Sequence, residues 1–178
     1  MSGHTSLAAA MAPPGLANPR VLPLLMAATA PIAIGGLVAM HATSISPVFA
    51  VPAVVFGVTA ATSPALYIAT AATGTAPPLA AVVRAFGVAI GAFGIALAGL
   101  LLPVTFLSLS AVAGSTTFLV ASAAIAGAGV LGLRRLKQEM HAARPLSFSG
   151  EVVFAIWACA TAGIAGRMWW DLAREVLS

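Results

Sequence analysis

The side chains able to do chemistry in this chain are few: His4, His41 and His141, the single Cys159, and the carboxylates Glu139, Glu151, Asp171 and Glu175. Metal ligation or acid–base catalysis needs such groups brought together at close spacing, and these are scattered over separate segments. There is no His-Glu-x-x-His, no Gly-x-Ser-x-Gly, no pair of carboxylates inside an apolar run and no serine with a base nearby. The sequence therefore nominates no catalytic, cofactor-binding or metal-ligating residue, and it reads as non-enzymatic with no cofactor. His41 reads as a solvated cap at the end of an apolar run, and Cys159 as a small packing residue. Arg167 and Asp171 are spaced i, i+4 on a helix, a pair worth about 0.2–0.5 kcal/mol rather than a catalytic constellation.

The elements that position these groups are apolar to an extreme. Apolar residues make up 61 % of the 178, charged residues 7 %, and the mean hydropathy is +1.07. Soluble domains carry roughly 25 % charged residues, so the composition specifies an integral membrane protein. The formal charge of +4 is too small and too dispersed for a nucleic-acid surface and serves instead as a topology signal. No nucleic acid is expected as a partner.

From Phe86 to Leu133 no charged side chain occurs. As one helix this stretch would be roughly 70 Å long, more than twice the ~30 Å of bilayer hydrocarbon, so it predicts two passes joined by a turn near Ser108–Ser115. Three further uncharged or nearly uncharged runs bring the total to five. The expected fold is an all-α integral membrane protein, a bundle of five transmembrane helices with passes at about 21–41, 47–73, 86–108, 112–133 and 152–170. Residues 1–20 are expected to be a flexible cytosolic tail and 21–178 a single transmembrane domain.

Within the passes, prolines and small residues carry most of the information. Pro31 predicts a kink in the first pass, and Gly35-Gly36 lets a neighbouring backbone come close. Pro52 and Pro64 divide the second, whose Thr and Ser hydroxyls can bond the carbonyls that proline frees. In the third, Gly87, Gly91, Gly94 and Ala98 share one face, the pattern of close helix association in lipid. The fourth offers a matching smooth face at Ala121, Ala124, Ala128 and Gly132, predicting a close antiparallel pair.

The polar ends set orientation. Residues 134–144 hold Arg134, Arg135, Lys137 and Arg144 against one Glu139. The positive-inside rule makes this loop cytosolic, with Arg20 and Arg84 on the same side, the N-terminus cytosolic and the C-terminus external. The same four basic residues are candidates for contact with lipid headgroups or a protein partner. Ser147, Ser149 and Glu151 suit the start of the last pass, and Arg167, Trp169 and Trp170 suit interface anchoring at its end.

The series Pro64-Ala65-Leu66-Tyr67, Gly74, an amphipathic elbow, the late Pro103, a basic loop and a Trp-rich last pass resembles the bacterial Yip1-like membrane proteins. That resemblance implies a five-helix protein with a cytosolic N-terminus and a membrane-organising or protein-recruiting role without chemistry. The expected function is thus a structural, membrane-organising or accessory protein of the cell inner (plasma) membrane, in contact with the bilayer and with a protein partner or a second copy. The alternative is a small transporter or channel using the proline-broken first and second passes. The lack of ionisable residues at mid-depth disfavours ion coupling and leaves a path for a neutral solute.

Overall fold

The structure, a computed structural model, describes residues 21–42, 44–110 and 113–177. The tail expected at 1–20, and Ala111-Val112 in the turn between third and fourth passes, lie outside the described residues. Every secondary-structure element among the described residues is a helix, with no strand. Five helices are long and apolar enough to cross a membrane: α1 (Val21–Ala39), α2 (Ser46–Ala72), α3 (Leu79–Ser110), α4 (Gly114–Ala143) and α5 (Phe148–Leu177).

Three helices outrun the apolar runs that announce them. α3 starts at Leu79, α4 continues to Ala143, and α5 extends from Phe148 to Leu177. The segment 134–143, read as a loop, is the last part of α4. Its Arg, Leu, Lys, Gln, Glu, Met and Ala residues are strong helix formers, so the backbone ladder continues past the end of hydrophobicity. It ends where Arg144, extended before Pro145, leaves the helical region.

Proline effects are local. α1 runs unbroken through Pro31, which is buried. In α2, Pro52 cannot donate to the carbonyl of Val48, and the chain widens into a π-helical turn over Ala53–Gly57 before resuming α-helix. α2 then stops in a Schellman cap: Gly74 takes φ +68°, the Thr75 N–H donates to Thr70 O at 2.9 Å and the Gly74 N–H to Ala71 O at 2.9 Å.

The helices close a ring in the order α1, α2, α5, α4, α3. α3 packs against α4 on one side and α1 on the other. At the α1–α3 crossing a side chain added at Gly94 would collide with the backbone of Ala27, and one at Gly91 would meet Pro23 Cβ at 3.1 Å. α1 and α2 approach where Gly35 faces the backbone of Pro47 and Val48. Buried Ile34, Val38, Val51, Leu97 and Phe118 join α1, α2, α3 and α4 in one core. The exterior is also apolar: Leu102 is 82 % exposed, Phe106 70 % and Leu119 68 %. Water penalises such a surface, whereas bilayer hydrocarbon covers it at no cost.

Candidate functional site

The main concavity lies where α2 and α5 stand away from α3 and α4. It has a volume of about 530 Å³ and is lined almost wholly by carbon. The π-helical turn contributes Val54 and Val55, α3 contributes Phe86 and Phe93, α4 contributes Ile125 and Leu133, and α5 contributes Trp157 and Trp169. π-turns recur at functional sites because the wider turn re-aims its side chains, and here it forms one wall.

Two polar clasps frame the cavity. Trp157 Nε1 donates to the carbonyl of Thr62 at 2.8 Å, and the Thr161 hydroxyl donates to Thr62 Oγ1 at 3.2 Å, tying α5 to α2. Toward the other end Trp169 Nε1 donates to Ser122 Oγ at 2.8 Å while its ring stacks on Phe118 at 5.2 Å, tying α5 to α4. Three hydroxyls line the space, and each already donates: Thr59 to Val55 O, Ser122 to Phe118 O and Thr161 to Thr62 Oγ1. Among the described residues no titratable side chain lines the cavity. These surroundings suit an apolar guest oriented by shape.

One end of the bundle is basic. It joins the starts of α3 and α5 to the ends of α2 and α4, and carries Arg84, Arg134, Arg135, Lys137 and Arg144 against Glu139 and Glu151. Several of these charges knit the end together. Lys137 Nζ lies 3.2 Å from Glu151, crossing from α4 to α5; Arg135 pairs with Glu139 at 2.7 Å; and Arg144 donates to the carbonyl of Ala76 at 3.1 Å. The Leu146 N–H donates to His141 Nδ1 at 3.3 Å, and the Gly150 N–H donates to Ser147 Oγ at 3.3 Å, capping α5. Arg84 and Arg134 are exposed and have no partner among the described residues. The exposed ion pairs themselves contribute about 0–1 kcal/mol each.

The structure distributes the residues singled out by sequence. Gly91 and Gly94 are buried at the α1–α3 contact and Ala98 is half-buried beside the core, but Gly87 is exposed. The buried face of α4, with Ala121, Ala124, Ala128 and Gly132, does meet α3, though not its glycines: a Cβ on Gly132 would touch Phe93 Cβ at 3.2 Å and Ala89 O at 3.3 Å. Arg167 pairs with Asp171 at 3.4 Å in the open, and Trp170 is exposed with the Arg174 guanidinium 5.6 Å over its ring. Trp169 turns inward as described. His41 packs its Cβ against Gly114 at the start of α4. Cys159, expected to pack, is exposed on α5. Among the described residues no helix covers its face of α5, which apolar composition alone does not reveal. Among the described residues no three His, Cys, Asp or Glu side chains converge as a metal site.

Sequence reasoning missed the cavity and both clasps. Thr62 lies 95 residues from Trp157 and 99 from Thr161, and no local spacing links it to them. The chain matches no family model, no curated protein and no solved structure.

Proposed function

We propose that this chain is a non-enzymatic multi-pass protein of the cell inner (plasma) membrane that acts as an accessory or membrane-organising subunit, with its basic end as a cytosolic docking platform. The observation that carries the reading is the charge division between the two ends. Among the described residues the basic end holds five cations against two carboxylates, while the opposite end balances Arg167 and Arg174 with Asp171 and Glu175. Excess Lys and Arg beside apolar spans hold a segment on the cytosolic side. The platform is also ordered, because the helix of α4 runs on through it and the Schellman turn, Arg144 and the Lys137–Glu151 pair brace it. A rigid surface with two arginines that have no partner among the described residues is suited to binding an acidic partner at low ordering cost. Kinship with the Yip1-like five-helix proteins, proposed from the sequence alone, would imply the same role.

A solute path is the second reading, and the apolar cavity favours it. Such a path would run between α2 and α5 on one side and α3 and α4 on the other, because α1 contributes nothing to the cavity wall.

Gentle purification from the native membrane tests the two. A companion protein at fixed stoichiometry, lost when Arg84→Glu and Arg134→Glu are combined, is the expected result. A lone oligomer that passes a neutral solute into vesicles would replace the accessory reading with the second.

A further inference from the structure

The gap between α4 and α5 is a lateral window. These helices follow one another in sequence yet touch mainly toward their two ends. Near the basic end Leu136, Met140, Phe154 and Trp157 share a cluster and Lys137 meets Glu151. Toward the other end Trp169 bonds Ser122 and stacks on Phe118. Between these pins the facing residues are small. Ala126 and Val130 of α4, and Ala162 and Gly166 of α5, line the cavity and are exposed at the same time, so the cavity opens sideways here. From Ser122 to Leu136 the lined stretch of α4 rises about 20 Å along the helix axis. That is a tall, narrow, carbon-walled slot, open toward whatever surrounds the bundle.

We infer that this window holds one hydrocarbon chain of an anionic phospholipid drawn from the leaflet at the basic end. The assignment rests on the reading that the bundle sits in a bilayer. Slot height and lining select an extended chain, since every lining hydroxyl has its proton committed and no group asks for a polar guest. The charge at the slot's lower lip selects the headgroup. Lys137 spans the lip from α4, and Arg134, exposed and without a partner among the described residues, stands one helical turn nearer the slot. A phosphate at headgroup depth meets both cations once its chain lies beside Leu133 and Leu136. Each methylene that leaves the crowded annulus for the slot fills space that would otherwise be void, which steadies a helix pair with little direct contact.

Native mass spectrometry of the full-length protein, released from nanodiscs of phosphatidylglycerol and phosphatidylcholine in equal amounts, reads the occupant directly. The expected spectrum shows one retained phosphatidylglycerol, favoured over phosphatidylcholine by about thirtyfold, the scale that two nearby cations supply. Gly129→Leu with Gly166→Leu fills the slot, and neither position has an atom within 4 Å of an added Cβ, so the fold can accept them. Retention should fall about tenfold in this variant and severalfold in Arg134→Gln. Equal retention of both lipids in the wild type overturns the headgroup assignment without recourse to any variant. Retention unchanged in the filled variant, or a co-purifying apolar molecule that is not a phospholipid, overturns the occupant. Carbonate extraction of the same membranes separates this site from the bilayer reading: a chain released by carbonate sinks both, whereas a chain retained but bare of lipid sinks the site alone.

Discussion

Ser63 and Pro64 show how single residues keep an apolar helix intact. Pro64 has no N–H, so the carbonyl of Ala60 one turn back loses its helical donor, and the Ser63 hydroxyl donates to that same carbonyl at 3.1 Å. Without water to take its place, a bare carbonyl costs about 1–3 kcal/mol. Ser63→Ala should therefore destabilise the bundle by about 1 kcal/mol while Pro64 is present, and by close to nothing in a Pro64→Ala background, where the substituted backbone regains the missing N–H. Thermal melts of the four proteins in one detergent measure the cycle. Equal losses in both backgrounds would mean the hydroxyl serves some other group. This compensation is legible in the sequence, because donor and acceptor lie within one turn. The Thr62–Trp157 bond is not, because its partners become neighbours only once α2 and α5 have met.

At the scale of elements, periodicity identifies a face but not its neighbour. Gly87, Gly91, Gly94 and Ala98 do fall along one side of α3, as their spacing requires. Chain order makes α4, the next helix, the expected partner. α3 instead has two main neighbours and uses two faces: Ala89 and Phe93 toward Gly132 of α4, and Gly91 and Gly94 toward Pro23 and Ala27 of α1. The same register explains Gly87. α1 and α3 run parallel, Pro23 matching Gly91 and Ala27 matching Gly94, so Gly87 lies a turn below that contact, where an added Cβ meets no atom within 4 Å. The two glycines should then respond oppositely to one added methyl group. Gly94→Ala forces the Ala27 backbone away and should cost about 1–3 kcal/mol, whereas Gly87→Ala meets open space and should gain up to about 1 kcal/mol from helix propensity. Melting temperatures measured side by side decide it, and a neutral Gly94→Ala would remove the close α1–α3 contact.

For the whole molecule, five apolar spans are readable in the sequence because hydropathy over some twenty residues needs no tertiary knowledge. The ring order and its cavity are not, because they depend on which small residues let which helices approach. The proposed orientation stands between the two, resting on charges that the sequence displays and the fold sorts. Five helices make one end of the bundle the meeting place of the α2–α3 and α4–α5 connections, and Arg84, Arg134, Arg135, Lys137 and Arg144 all gather there. The end formed by the α1–α2 and α3–α4 connections and the last turns of α5 has no such surplus. Moving the basic end across the bilayer would carry its cations against both the insertion bias and the membrane potential, at about 2.3 kcal/mol per charge for each 100 mV. Reporter fusions should consequently be cytosolic at residue 140, near the end of α4, and external at residue 178, after α5. Both reporters on one side would eliminate an odd number of crossings, and the inverted pair would show that the charge division does not govern how this bundle inserts. Arg134→Glu with Arg135→Glu and Lys137→Glu then supplies the decisive contrast: if the charge division sets the orientation, a mixed or inverted population should appear only in that variant, with the helical content unchanged.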